Sequence, residues 1–315
     1  LKVTNTEFLS DTKAAIYVDT AGSANITYDY DTNDITGVVS GKAIEVSSNS
    51  GPVYVNGVTQ LPQNATAEAI NKVITESKDA DGNVVKDVKL ALPKDSTFML
   101  DNGLVNESNN DGKGRNVTIV GDGTQTVDVV TNAVTAEGGE LSYQRGSTFT
   151  FENVTLQAGE GNFDGIVCDK LVYNNCTIKG KLTLYGKATF INCTFENTMA
   201  DQYSIWTWGG TDVTFEDCTF NTNGKAILLY GQATAEKPTN LTVSNCTFND
   251  RNNGSAGKAA IEIGNDYNAT YNLTVTKATV NGFADGKNTG SKLWANKNSM
   301  DATHLSVTID GAKVL

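Results

Sequence analysis

Trp206 and Trp208 stand two residues apart in SIWTWG (204–209). Strings of the same pattern put Tyr185 in KLTLYG (181–186), Tyr230 in AILLYG (226–231) and Glu262 in AIEIGN (260–265). Flat aromatic faces stack on sugar rings while keeping a polar edge. An exposed patch of them marks a binding surface. Tyr185, Trp206, Trp208, Tyr230 and Glu262 are therefore the candidate substrate-binding residues, with a glycan as the expected ligand. Trp294 is expected to extend the row. Cleaving a glycosidic bond by hydrolysis needs two carboxyl groups ~5–10 Å apart. Asp169, Asp201, Glu262 and Asp266 are the candidates near the row. Elimination needs a basic side chain and a cation on carboxylates. Lys225 and Lys258 precede two of the strings, and Arg251 lies in a nearby loop.

Neither set assigns catalytic residues. The sole histidine, His304, lies beside a terminal strand and reads as structural or solvent-facing. Nucleophile elbows, Walker loops and dinucleotide fingerprints are absent. DADGN (79–83) lacks the later glutamate of a calcium loop and reads as a turn. No cofactor and no metal are expected.

Positioning such a row requires strands at regular intervals. The four strings alternate, with Ile205, Ile227, Leu229, Ile261 and Ile263 on one phase and Trp206, Trp208, Leu228, Tyr230 and Glu262 on the other. GIVCD (165–169) and AIYVDT (15–20) share the pattern. A second motif follows most of them: FTFENVTL (149–156), LVYNNCTI (171–178), ATFINCTF (188–195), VTFEDCTF (213–220), LTVSNCTF (241–248), LTVTKATV (273–280) and VTIDGAKV (307–314). Their starts are 22, 17, 25, 28, 32 and 34 residues apart. A fixed strand motif with a variable interval indicates a stacked solenoid with loops of unequal length. In VTFEDCTF, Val213 and Phe215 face inward. The phase slips at Asp217, and Cys218 and Phe220 become the buried pair. Asn and Asp tolerate the left-handed conformation that such a corner needs. Cys176, Cys193, Cys218 and Cys246 share one template position and are expected as an inward column, not as redox groups.

These motifs resemble the right-handed parallel β-helix proteins of the pectate-lyase-like superfamily. Asn175, Asn192, Asp217 and Asn245 match that fold's ladder of corner residues, and the likeness covers most of residues 62–315. It implies an all-β, single-stranded solenoid. It also implies that the strand carrying the aromatic row lines the substrate groove. The paired Asp motifs and Gly-His-Gly run of the related polygalacturonases are absent. The superfamily holds lyases, hydrolases, adhesins and tailspikes, so the likeness leaves function open.

TAEAINKVITES (66–77) carries an apolar stripe and Thr66 as N-cap, and is predicted to be a short capping helix before the first main coil. Residues 1–61 precede that cap yet contain both motifs. They are either the end of an upstream β-helix or a β segment packed against the main solenoid of 62–315, the second being preferred.

The net charge of −12 argues against a nucleic-acid partner and weighs against a polyanionic sugar unless a cation bridges. No apolar run is long enough to span a bilayer. The expected protein is a monomeric, secreted or cell-surface bacterial β-helix that contacts glycan or a host surface, adhesin-like and without catalysis. The alternatives are a polysaccharide lyase or glycoside hydrolase working in a lateral groove, and a structural stalk in which loops 196–203 and 249–259 bury the aromatic pair.

Overall fold

The computed structural model describes residues 1–66, 69–70, 73, 81–83, 85–100, 116–129, 141–142, 148–157, 162–164, 166–167, 170–184, 186–200, 202–231, 234–264 and 269–315. Among these residues the chain winds into a parallel β-helix. From Thr148 to Asn296 each coil contributes one strand to each of three sheets. The first sheet has 14 strands, the second 8 and the third 6. A coil runs, for example, from Lys181–Leu184 in the third sheet to Lys187–Ile191 in the first and Thr194–Glu196 in the second. It then returns to the third sheet at Ile205–Thr207. Like positions lie above like positions: Phe190 pairs with Phe215, Thr194 with Thr219 and Thr183 with Trp206.

The corner between the first and second sheets has the backbone that the phase slip requires. Asn153, Asn175, Asn192, Asp217, Asn245 and Lys277 all have positive φ, from 52° to 55°. Short side-chain amides make this conformation accessible and also tie neighbouring coils. Asn175 Nδ2 donates to Asn153 Oδ1 at 2.7 Å, and Asn192 Nδ2 donates to Asn175 Oδ1 at 3.0 Å. A second ladder climbs the outer face through Asn221, Asn249 and Asn281, each amide donating to the residue one coil earlier.

Inside, aromatic rings pile up. Phe151, Tyr173, Phe190 and Phe215 stack with centroids 4.6–5.4 Å apart. Phe195, Phe220 and Phe248 form a parallel file at 4.3–4.8 Å. Phe215 also meets Phe195 and Phe220 edge-on at 5.5 and 5.2 Å. Cys176, Cys193, Cys218 and Cys246 are free and buried, each directly after its corner residue, as the repeat requires. Each thiol contacts a backbone carbonyl beside it, such as Cys218 Sγ on the Glu216 oxygen at 3.2 Å. Hydrogen bonds from neighbouring thiols, together with burial, hold Cys193 and Cys246 above the usual thiol range. These groups are packing units.

Residues 1–60 also coil. Lys2–Val3, Ala24–Tyr28 and Val53–Val55 pair in parallel at the start of the first sheet, and two small parallel pairs complete the coils. Their core, built on Ile26, Tyr28, Val46, Val53 and Val55, is separate from the main core. The chain then reverses at Asn56–Gly57, and Val58–Gln60 returns antiparallel to Val53–Val55. The far edge of Val58–Gln60 pairs in parallel with Asp87–Ala91, the first strand of the main stack.

Most of the helix predicted for 66–77 lies outside the described residues. Its start is described: Thr66 Oγ1 accepts the Ala69 N–H at 3.1 Å, and the Ile70 side chain enters the main core. Among the described residues no helix is long and apolar enough to cross a membrane.

Candidate functional site

The aromatic row belongs to the third sheet. Its outward positions run Thr183, Trp206, Leu228, Glu262 and Ala295, each opposite the next on adjacent strands. Trp208 and Tyr230 lie two residues further along their strands, just past the paired segment. The Tyr230 ring stacks on Trp208 at 5.2 Å and meets Trp206 edge-on at 5.0 Å. Backbone contacts fix this trio. Thr207, pointing inward between the tryptophans, accepts the Tyr230 N–H on its Oγ1 at 3.0 Å. Gly231 has φ 96°, and a Cβ there would sit 3.1 Å from the Gly209 nitrogen. The close approach of these two turns therefore needs glycine.

Exposure changes along the row. Trp208 is 41% exposed, Trp206 and Tyr230 are half-buried, and Glu262 is 2% exposed. The sequence reading put Glu262 on an open outward face. Its direction is outward, but the face there is covered. Tyr203, in the loop before the tryptophan strand, is buried and close enough to feel the glutamate. Burial, then the negative charge of Glu262, push the Tyr203 hydroxyl above the ordinary phenol range. Glu262 Oε1 accepts the Ala259 N–H at 3.0 Å. Trp294 departs from expectation. It pairs with Ile261, which places it on the inward phase, buried in the core, and Ala295 takes the outward position.

Lysines surround this face. Lys181 Nζ lies 4.8 Å from the Trp206 ring centroid and Lys225 Nζ 5.8 Å from that of Tyr203, both in cation–π range. Lys297 is half-buried. Its pKa is lowered first by desolvation. The negative charge of Glu262 opposes this, and the positive charges of Lys258, Lys287 and Lys225 add to it. Five lysines and one carboxylate thus gather beside three aromatic rings. Sequence reasoning identified Lys225 and Lys258 but missed Tyr203, Lys181, Lys287 and Lys297. Parity carried a signal for two of them. Lys181 shares the phase of Thr183, and Lys297 that of Ala295, both outward.

A lysine whose folded pKa is depressed is charged in the unfolded chain over a window where the folded chain has already lost the proton. The unfolded state binds more protons there, so stability rises with pH through that window. The cost of burying the Lys297 charge is present below its folded pKa and relieved above it. Melting temperatures of wild type and Lys297→Met, measured from neutral pH to about pH 10, should therefore shift in favour of wild type as pH rises. A constant difference would contradict the placement of Lys297.

Tyr185, Asp169, Asp201 and Asp266 lie outside the described residues, as do Arg115 and Arg145. Arg251 is engaged with Glu196. His304 is half-buried and pairs locally with Asp301 and Thr303.

A parallel β-helix with an aromatic, lysine-rich lateral face is a solenoid of the pectate-lyase-like class. The sequence matches the family model of the right-handed β-helix region over residues 103–303, more than half of the chain, and the chain belongs to that family. A curated relative, an exopolygalacturonase of Platanus acerifolia, is 32% identical over 149 residues. That match covers 42% of this chain and 37% of the relative, so the chain spans well under half of that protein's length. No solved structure matches the chain.

Proposed function

We propose that this chain cleaves an acidic polysaccharide laid across the third sheet, with sugar rings on Trp206, Trp208 and Tyr230 and uronate carboxylates on the lysines. The observation that carries this reading is the gathering of Lys225, Lys258, Lys287 and Glu262 around Lys297, on the sheet that carries the ring trio. The net charge of −12 weighs against a polyanion only if charge is spread evenly, and here lysines concentrate on one face. Lysines fit a sugar acid better than a neutral sugar, because opposite charges held near a partly desolvated surface attract strongly. The similarity to an exopolygalacturonase supports the same substrate class and favours hydrolysis. Glu262 would supply one of the two carboxyl groups that hydrolysis needs. Cleavage of such a polymer fits a secreted or cell-surface location.

A second reading, an adhesin-like surface that holds the polymer without turning it over, has one observation behind it. Glu262 is buried, and one of its oxygens is taken by the Ala259 amide.

Purified protein incubated with polygalacturonate should release reducing ends, and Glu262→Gln should lower kcat by about 100-fold or more. Saturated product ends indicate hydrolysis, and ultraviolet-absorbing unsaturated ends indicate elimination. Retention on polygalacturonate without turnover would leave only the second reading. Neither turnover nor retention would end both.

A further inference from the structure

Inside the third sheet each coil donates a hydrogen bond to the next. The Ile205 N–H donates to the Ala226 carbonyl, Ile227 to Ala260 and Ile261 to Leu293, all at 2.9–3.0 Å. The stack built by residues 1–60 follows the same rule. Ile16, in register with Ile44, donates to the Ala43 carbonyl at 2.9 Å. Ile44 holds the donor's place for the next step. Its strand, Ile44–Val46, pairs with Ile16–Val18 alone, and among the described residues no further strand continues it. This open edge lies well inside the chain, where the first stack meets the main one.

The edge opens into a cleft of about 350 Å³. Every residue from Gly41 to Val46 lines it. Successive side chains of a strand point to opposite faces, so an unbroken run of lining residues means that the cleft follows the strand's edge. The main stack forms the facing wall with segments 91–94 and 120–122, and the connection between the stacks contributes Gln60, Leu61 and Gln63. Ile35, Val46 and Leu92 supply apolar lining.

The charged groups come in matched pairs. Lys42 Nζ lies 3.8 Å from Glu45 and donates to Gln63 Oε1 at 3.1 Å. Gln63 Nε2 donates to the Lys94 carbonyl at 3.3 Å, which ties the two stacks together. Lys94 leans across the gap, since a Cβ on Gly41 would sit 3.0 Å from its Nζ. Its charge partner is Asp122. Burial pushes that carboxyl up, but hydrogen bonds from Thr124 and Gln125 and the Lys94 charge outweigh burial and hold it below the usual carboxylate range. Two ammoniums and two carboxylates leave the lining without net charge. Tyr30 also lines the cleft. It is 60% exposed, and its ring is set edge-on against buried Tyr28 at 4.7 Å.

An exposed ring, amides, paired opposite charges and an open backbone edge suit a ligand made of hydroxyls. Each hydroxyl both donates and accepts. It can accept from Lys42 or the Ile44 N–H and donate to Glu45 or Gln60 Oε1, while the apolar face of a sugar ring lies on Tyr30. A uronate would meet Glu45 and Asp122 as readily as the lysines, unlike on the lysine-rich face of the main stack. An extended peptide would find only the 3 residues of Ile44–Val46 to pair with, a short edge for strand addition. The volume falls at the lower end of small-ligand pockets, about 300–1,000 Å³.

We propose that this cleft is a second saccharide site, separate from the aromatic face of the main stack, and that it holds a neutral sugar of about one or two rings against Tyr30, Glu45 and the Ile44 amide. The sugar touches both stacks and so stiffens the joint between them. The site stands independently of the cleavage proposed above.

Titration calorimetry on the intact chain tests this, with maltose, cellobiose, lactose and mannobiose run beside digalacturonate. The Trp206→Ala/Trp208→Ala background removes the rings of the other face. In it, at least one neutral disaccharide should bind with a Kd of about 1 mM or tighter, and digalacturonate about 10-fold more weakly. Tyr30→Ala should weaken the neutral sugar by about 10-fold, whereas Tyr30→Phe, which keeps the ring, should stay within about 3-fold. Glu45→Gln keeps the shape but leaves the cleft with net positive charge, so it should weaken the neutral sugar and tighten digalacturonate. This variant carries the test where Tyr30→Ala melts below its parent. Amide exchange across Gly41–Val46 should slow when the sugar binds. No binding of any neutral disaccharide, binding that Tyr30→Ala and Glu45→Gln both leave unchanged, or equal affinity for digalacturonate would each overturn the proposal.

Discussion

Phe215→Ala should lower the free energy of unfolding by about 3–5 kcal/mol, the range for truncating a buried aromatic ring. Phe215 is where the two internal files meet. It stacks on Phe190 and meets Phe195 and Phe220 edge-on. Three ring contacts end at once, each worth ~0.5–1.5 kcal/mol beyond the area buried. Its neighbours cannot collapse into the gap, because their strands are held by coils above and below. In a solenoid, stability is a sum of repeat terms and interfaces between neighbours. The loss should therefore also loosen the adjacent coils, giving faster amide exchange in Lys187–Ile191 and Thr239–Ser244 than in Leu305–Ile309. Phe215→Leu, which keeps most of the apolar volume, should cost clearly less. Chemical denaturation of the three proteins measures this. A Phe215→Ala loss under about 1 kcal/mol would mean that the rings do not pack as described.

The second large effect concerns ligand binding. Trp206→Ala/Trp208→Ala should weaken binding of an oligogalacturonate by about 30-fold or more, equivalent to about 2 kcal/mol. The pair provides the platform, with Tyr230 wedged against both rings. Losing both rings removes the apolar faces on which sugars stack and also the ring over which Lys181 sits. Stability should change little by comparison, because Trp208 is 41% exposed and neither tryptophan belongs to the main core. Binding should also weaken as salt is added, since the lysines act through charge near the surface. Calorimetric titration separates these effects. Equal affinity in wild type and double variant would remove the aromatic face from the account.

The repeat made much of this fold legible. The phase slip at Asp217 announces a corner, and the backbone there is left-handed. The recurring Cys after each corner announces an internal column, and all four are buried. The alternation in SIWTWG and AIEIGN placed Trp206 and Glu262 on one outer row, which the strand register reproduces through Leu228. Long-range geometry was not legible. Glu262 is covered, and alternation says nothing about which segment folds over a face. Trp294 turned inward because its strand registers with Ile261 at the tryptophan itself, and SKLWAN (291–296) lacks the flanks that fix register in the other strings. The lysine set comes from several coils, so composition dilutes it into an acidic total. The passage between the two stacks depends on a hairpin whose two edges pair with different partners, a relation between distant strands. Only the match of VYVNGVTQL (53–61) to VTIDGAKVL (307–315) in the sequence hinted at it.

The most direct test of the central claim is a fluorescence titration with an acidic oligosaccharide, run beside a neutral one of equal length. The chain has three tryptophans, two on the proposed face and Trp294 in the core. The account predicts a saturable change in tryptophan emission with oligogalacturonate alone, abolished in Trp206→Ala/Trp208→Ala. A wild type with no response, an equal response to the neutral sugar, or a response that survives in the double variant would contradict it.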